Sequence, residues 1–165
     1  MDIHERLLEE FEKSSRSHHS AEPLMQHIAH QLHDGMARYN WVGFYLMEAP
    51  NFDALVVGPY AGSFQPTLRI PLDQGLCGAA ATSGRTVIVN DVPADPRYLG
   101  SDLVKSNIVV PIVVKNRVAA ELCIESYFLN TFDAAEQRFI ESCAGLVGRC
   151  MGREPIAASE AGALH

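Results

Sequence analysis

The sequence predicts an α+β domain built on a central, mostly antiparallel sheet of about six strands. Apolar residues recur at helical spacing near both ends of the chain, whereas segments rich in β-branched and aromatic residues occupy residues 41–127. Short connections between several of these segments favour hairpins, which pair strands antiparallel. We therefore expect the terminal helices on one face of the sheet and a long loop, the lid segment (residues 90–106), on the other.

The composition limits the classes of function. The chain has 165 residues, of which 47% are hydrophobic and 20% charged, as is typical of one globular domain. Its formal net charge of −7 argues against nucleic acid or an anionic membrane as a partner, because both bind basic surfaces. No apolar run approaches the ~20 residues of a membrane span and no signal peptide is recognised, so we expect a cytoplasmic protein. The four cysteines lack CxxC spacing and are expected to be free thiols in that compartment.

Two helices are predicted before the sheet, at residues 3–14 and 21–38, from apolar residues at helical spacing. His27, His30 and Asp34 lie on the polar face of the second helix. Such side chains can bind a metal ion, but three ligands on one exposed face leave the coordination shell open. A solvated or subunit-facing polar surface is therefore the favoured interpretation, and we predict no metal site.

The strands are predicted from β-branched and aromatic segments bounded by turn residues. They lie at residues 41–48, 54–60, 68–70, 86–89, 108–115 and 117–127. A short helix is predicted at residues 75–82 between two of them. The last helix starts at Asp133, where Glu136 completes an acidic capping box, and runs to about Met151. Residues 154–165 are expected to form a flexible tail.

Several segments resemble GAF domains. The generic pattern of that family fits Asp91-Val92, Asp95-Pro96-Arg97-Tyr98, Ser106-Asn107-Ile108-Val109-Val110-Pro111, and Phe132-Asp133-Ala134-Ala135-Glu136. Further segments are similar to the free methionine-(R)-sulfoxide reductase branch of the family, namely Asn40-Trp41-Val42-Gly43-Phe44-Tyr45-Leu46, Arg69-Ile70-Pro71, Gly75-Leu76-Cys77-Gly78 and Val113-Val114-Lys115-Asn116. The resemblance implies the GAF fold and a single domain over residues 1–153, with N-terminal helices in 1–38, the sheet and pocket in 39–127 and the C-terminal helix in 133–151.

The reductase branch implies a pocket for a free amino-acid sulfoxide. Such a pocket needs a nucleophilic thiolate, a second cysteine that resolves the sulfenic acid, and carboxylates that hold the ammonium group. The aromatic walls are present as Trp41 and Tyr45, and one cysteine is present as Cys77. Two other cysteine positions of the branch fall on Thr67 and at about Gly100 in this sequence.

The pocket acids of the branch change as well. The acid expected before the Ile-Val-Val-Pro strand is Asn107, and the two acids of the following strand become Cys123 and Glu125. Only Glu125 keeps its carboxylate. The resemblance therefore predicts a ligand-binding set consisting of Trp41, Tyr45, Thr67, Gly100, Asn107 and Glu125.

The first function that these residues allow is a sensor-type GAF domain that kept the pocket and lost the reductase. It would bind a compact amino-acid-like or cationic ligand through the aromatic walls and Glu125. We expect a homodimer built from the terminal helices, a signalling partner of unknown identity, and a lid segment that responds to the ligand.

The alternative is a free methionine-(R)-sulfoxide reductase in which Cys77 and Cys123 act as a rewired catalytic thiol pair. Cys77 begins a helix, where the helix dipole favours a thiolate. The opposing interpretation places both cysteines in the core, since free cysteine is among the most buried residue types. A purely structural module is the third class. No cofactor is predicted, because bilin and haem need an attachment cysteine or axial ligand in the pocket, and the histidines of residues 27–33 lie in the wrong segment.

Overall fold

The computed structural model describes residues 1–154, which fold as a six-stranded antiparallel sheet with helices on both faces. The helices are α1 (Ile3–Arg16), α2 (Ala21–Gly35), α3 (Gly75–Ser83) and α4 (Ala134–Gly152). The strands are β1 (Trp41–Met47), β2 (Ala54–Gly62), β3 (Arg69–Pro71), β4 (Val87–Val89), β5 (Ser106–Val114) and β6 (Arg117–Ser126). The strand order is β3-β2-β1-β6-β5-β4, which confirms the predicted α+β class.

One face of the sheet is covered by α1, α2 and α4. Alternate residues of the two central strands point toward these helices, including Val42 and Phe44 of β1 and Leu122 and Ile124 of β6. Together with the apolar faces of the three helices they form the larger of two buried clusters. This is the layered arrangement in which a sheet and amphipathic helices bury each other's apolar surfaces.

The other face of the sheet, here called the pocket face, is covered by α3 and the lid segment. Trp41 and Tyr45 of β1 belong to a second buried cluster on this face, together with Cys123 of β6. In the antiparallel register Trp41 lies opposite Glu125 and Tyr45 lies opposite Glu121. The pleat of the two central strands therefore brings aromatic, thiol and carboxyl groups together on one side.

The ends of the helices differ from the sequence expectation in two respects. The Asp133 carboxylate accepts a hydrogen bond from the Glu136 backbone N–H at 2.9 Å, as predicted for the cap of α4. The reciprocal half of the capping box is wrong, because the Glu136 carboxylate accepts the Tyr39 hydroxyl instead. Helix α2 ends at Gly35 rather than residue 38, because Met36 adopts an extended conformation and the chain turns there toward β1.

Strand β5 begins at Ser106, two residues earlier than predicted. Ser106 and Asn107 pair with Ser126 and Glu125 of β6. The earlier start places Asn107 inside the sheet and next to the pocket residues of β6.

The predicted tail lies outside the described residues from position 155 onward. Glu154 is described, and its carboxylate accepts a hydrogen bond from the Ala21 backbone N–H. Among residues 1–154, no helix is both long and apolar enough to span a membrane. All four cysteines are free thiols, as predicted, and all are buried.

Candidate functional site

A cavity of about 260 Å³ lies on the pocket face, between the sheet, the N-terminal part of α3 and the lid segment. Its volume is near the lower end of the range for small-molecule sites, which suits a compact ligand. The cavity is lined by every residue that the sequence analysis singled out for binding or thiol chemistry, namely Trp41, Tyr45, Thr67, Cys77, Gly100, Asn107, Cys123 and Glu125. A wider depression of about 830 Å³ beside α4 and β5 contains none of these residues. We therefore take the smaller cavity as the candidate site.

The indole of Trp41 forms one wall of the cavity and is held by its neighbours. Its ring stacks on Tyr60 at a centroid distance of 5.6 Å and on Phe64 at 5.8 Å. A Cβ atom placed on Gly43 or Gly62 would lie 2.4 Å from the indole ring. The two glycines therefore leave the space in which the indole lies against the backbone, and the ring orientation is fixed before any ligand arrives.

Tyr45 connects the central strand to the loop between β2 and β3. Its hydroxyl donates a hydrogen bond to the backbone carbonyl of Thr67 at 3.2 Å. Burial raises the pKa of Tyr45 above its ordinary value, and the nearby thiols and carboxyls add to this effect, so the phenol stays neutral. Thr67 thus contributes to the site as a backbone acceptor for this wall.

The carboxyl group of Glu125 contacts the lid segment. Its Oε1 accepts a hydrogen bond from the Tyr98 hydroxyl at 2.8 Å. Burial raises the pKa of Glu125 to about 7, although the Tyr98 hydrogen bond opposes this shift. Near neutral pH the group is therefore divided between its ionised and neutral forms.

Asn107 uses its amide within the sheet as well as lining the cavity. The Nδ2 atom donates to the Ile124 carbonyl oxygen at 2.8 Å and lies 3.5 Å from Cys123 Sγ. Since its donor is engaged by β6, Asn107 offers mainly its Oδ1 atom to a ligand. The contact between Asn107 Nδ2 and Cys123 Sγ also holds the Cys123 thiol in position.

Cys77 and Cys123 form a thiol pair at the floor of the cavity. The neighbouring Cys123 thiol is the largest cause that raises the pKa of Cys77, followed by burial. Under the reductase alternative, the position of Cys77 at the start of α3 predicted a thiolate; the raised pKa of the buried thiol instead favours the core interpretation of this cysteine. At its third helical position the thiol packs into a closed floor, where burial and the neighbouring acidic groups outweigh the helix dipole.

Glu121 is a buried carboxyl that sequence reasoning missed. It is 0% exposed, and neither carboxyl oxygen has a hydrogen-bond partner within the described residues. Burial raises the pKa of Glu121 to about 9, and the nearby Cys77 thiol partly opposes the shift without reaching hydrogen-bond geometry. Its spacing in the sequence could have revealed it. Every second residue of a strand points to the same face, so residues 121, 123 and 125 share a face.

The polar face of α2 does not form a metal site. His27 lies 3.4 Å from the Glu10 carboxylate and packs edge-on against the Phe11 ring. Within residues 1–154, no group of three or more His, Cys, Asp or Glu side chains is arranged to hold a metal ion.

The sheet order, the three helices on one face and the cavity beneath a lid on the other face define the GAF class of α+β domains. The chain belongs to the GAF domain family, whose profile matches residues 18–151.

The similar proteins include reductases. Protein YtsP of Bacillus subtilis is 30% identical over 123 residues, which cover 74% of each chain. The free methionine-R-sulfoxide reductase of Escherichia coli is 33% identical over 108 residues, which cover 65% of this chain and 63% of that enzyme. The structure of the free methionine-R-sulfoxide reductase from Neisseria meningitidis in complex with its substrate superposes with a TM-score of 0.85 at 29% identity, over 92% of this chain and 89% of that one.

Proposed function

We propose that this domain binds a compact, amino-acid-like small molecule in the cavity beneath the lid segment. The observation that carries the proposal is the Glu125 carboxylate, which lies beside two aromatic walls in a cavity of about 260 Å³. A buried carboxylate with free acceptor positions recognises an ammonium group, and aromatic faces accept cationic or aliphatic groups. The Neisseria meningitidis relative is a free methionine-R-sulfoxide reductase solved in complex with its substrate, which supports an amino-acid-like ligand for this domain.

We infer a sensor role from the position of the Glu125 carboxylate. Among residues 1–154, the only hydrogen-bond donor to this carboxylate is Tyr98 of the lid segment. A ligand that engages Glu125 therefore acts on the group that holds the lid. In this proposal the lid segment reports occupancy to a partner protein, and the terminal helices form a homodimer. Both the signalling partner and the homodimer remain predictions.

The binding proposal is tested by calorimetric titration with free L-methionine (R)-sulfoxide and free L-methionine. Glu125→Gln keeps the shape of the side chain and removes the charge, so affinity for both probes should fall at least tenfold. Glu12→Gln, on the exposed surface of α1, is the matched control and should bind like the wild-type protein. Equal affinity of the Glu125→Gln and wild-type proteins would refute ammonium recognition at this carboxylate.

A second function is favoured by the contact between Cys77 and Cys123. In a reductase reaction the Cys77 sulfur would attack the sulfoxide sulfur, and transfer of the sulfoxide oxygen would leave a sulfenic acid on Cys77 and release the sulfide. The Cys123 thiol would then attack the Cys77 sulfur, forming the S–S bond and releasing the oxygen as water. Two thiols and one sulfoxide then give one disulfide, one sulfide and one water molecule, so that atoms and electrons balance. An external dithiol would reduce the disulfide for the next cycle.

Turnover separates the two functions. Methionine formed from free L-methionine (R)-sulfoxide with dithiothreitol is measured for the wild-type, Cys77→Ser and Cys123→Ser proteins. Cys150→Ala is the cysteine control, because Cys150 lies in the larger buried cluster, on the other face of the sheet from the cavity. Activity lost only in the two cavity variants supports the reductase. If the wild-type protein binds the sulfoxide but forms methionine no faster than the two cavity variants, the sensor function is supported.

A further inference from the structure

We propose that Tyr98 is the positioning residue that orients Glu125 toward the ligand, so that one carboxylate recognises both the lid segment and a cationic ligand group. This inference rests on the proposed binding function and names a residue that controls it. Tyr98 lies in the loop of the lid segment, whereas Glu125 lies in strand β6, and the hydrogen bond between them joins the lid segment to the sheet.

The hydrogen bond leaves the carboxylate available. Tyr98 donates to Oε1 of Glu125 at 2.8 Å, and Oε2 accepts no hydrogen bond from residues 1–154. A carboxylate has about four acceptor positions, so one phenol leaves room for an ammonium group. Both residues line the cavity. Tyr98 thus holds the carboxylate in place without blocking it.

Gly100 supplies the space that this arrangement needs. A Cβ atom on Gly100 would lie 2.4 Å from the Tyr98 hydroxyl oxygen and 2.7 Å from its Cζ atom. The rigid end of the Tyr98 ring therefore lies where a side chain at position 100 would begin. A side chain at position 100 therefore requires the phenol or the backbone of residue 100 to shift, which couples the two lid positions.

The rest of the lid segment is fixed on either side of the Tyr98 contact. On one side, Arg97 donates to the Asp95 carboxylate through two guanidinium nitrogens, at 3.1 and 2.8 Å. On the other side, Val104 is buried in the pocket-face cluster. Between them, Leu99 and Leu103 are 62% and 61% exposed. Leu99 and Ser101 also line the cavity, and Tyr98 adds a hydrogen bond that joins this stretch to a carboxylate of the sheet.

The charge state of Glu125 follows from the groups around it. Burial raises its pKa to about 7, and the Tyr98 hydroxyl opposes this by stabilising the ionised form. The other titratable or charged groups that line the cavity are Tyr45 of β1, Arg69 of β3, Cys77 of α3 and Cys123 of β6, and Arg69 is paired with Glu48 and Asp53. The pKa values of Tyr45 and Cys77 are raised, so both stay neutral near pH 7. Removing the Tyr98 hydroxyl should therefore move the Glu125 titration to higher pH.

The test begins without a ligand. Carboxyl ¹³C NMR follows the titration of Glu125 in the wild-type and Tyr98→Phe proteins, and Glu125→Gln assigns the resonance. We expect the midpoint to rise by about one pH unit in Tyr98→Phe, the equivalent of a tenfold change in the protonation equilibrium. Tyr127→Phe is the matched control, since its hydroxyl contacts Ser63 and lies outside the cavity lining. An unchanged midpoint in Tyr98→Phe overturns the proposal.

Binding of free L-methionine (R)-sulfoxide gives the second readout. Tyr98→Phe should weaken binding by about fivefold near pH 7, because a pKa higher by one unit lowers the ionised fraction of Glu125 from about one half to about one tenth, and by less near pH 9, where Glu125 is mostly ionised in both proteins. Gly100→Ala should reproduce this pattern, whereas Leu103→Ala should leave the affinity unchanged. Tighter binding by Tyr98→Phe would show that the phenol competes with the ligand and would overturn the proposal. If the probe fails to bind the wild-type protein, the binding function fails for this ligand, while the NMR titration still decides the role of Tyr98.

Discussion

Replacing Glu121 with glutamine should stabilise the folded domain at neutral and alkaline pH. The carboxyl group is fully buried, both of its oxygens lack hydrogen-bond partners among residues 1–154, and burial raises its pKa from 4.5 to about 9. Because the folded state holds a proton that the unfolded chain releases, stability falls as pH rises between these two values. Glutamine is nearly isosteric with the protonated acid and does not titrate, so Glu121→Gln should escape this loss.

The size of the effect follows from proton linkage. Each pH unit between the unfolded and folded pKa values lowers stability by about 1.4 kcal/mol. At pH 7 the loss attributable to Glu121 is therefore on the order of 3 kcal/mol, and it approaches its maximum near pH 9. Near pH 4.5 the wild-type and Glu121→Gln proteins should have nearly equal free energies of unfolding.

The assay is urea unfolding from pH 5 to pH 9, monitored by the fluorescence of Trp41, the single tryptophan. The stability difference between Glu121→Gln and the wild-type protein should grow steadily across this range. Glu12→Gln, an exposed glutamate of α1, serves as the control and should differ from wild type by less than about 0.5 kcal/mol. A difference that does not change with pH, or a Glu121→Gln protein less stable than wild type at pH 8, would contradict the assignment of a neutral buried acid.

Three further predictions concern other contacts. In the wild-type protein, affinity for free L-methionine (R)-sulfoxide should rise about tenfold from pH 6 to pH 8 as Glu125 ionises, and calorimetry should find this rise absent in Glu125→Gln. Gly43→Ala should lower the free energy of unfolding by about 1–3 kcal/mol and perturb Trp41 fluorescence, because its Cβ would lie 2.4 Å from the indole; unchanged fluorescence would argue against the described ring position. Asp133→Ala should lower stability by about 1 kcal/mol in urea unfolding through loss of the α4 cap, and Asp133→Asn, which keeps an acceptor, should lose less.

Much of the fold could be predicted because it depends on local patterns. The apolar spacing of the terminal helices and the alternation along β1 and β6 are properties of short windows, and the structure follows them closely. The end of α2 was predicted less well, because the apolar stripe continues to Met36, whereas the backbone leaves the helix at Met36, directly after Gly35. The point at which the chain leaves α2 depends on how the following strand, β1, packs in the sheet.

The residues of the site could be predicted where a family pattern or the two-residue period of a strand places them on one face. Glu121 follows the same alternation as Glu125, but alternation alone does not distinguish a buried acid from an exposed one. The contact between Cys77 and Cys123 joins a helix to a strand, and Tyr98 reaches Glu125 from an irregular loop. Such contacts between distant segments have no periodic signal and appear only in the folded chain.

The division of β6 between two faces has a consequence for how this domain can diversify. Leu122 and Ile124 pack against the helices, while Glu121, Cys123 and Glu125 lie on the pocket face, where Cys123 and Glu125 line the cavity. Successive positions of one strand thus experience separate selective constraints, one on folding and the other on chemistry. Substitutions at the odd-numbered positions can change the reactivity and ligand preference of the pocket while the scaffold is inherited intact. A single strand of this kind allows enzymes and non-enzymatic receptors to descend from the same ancestral framework.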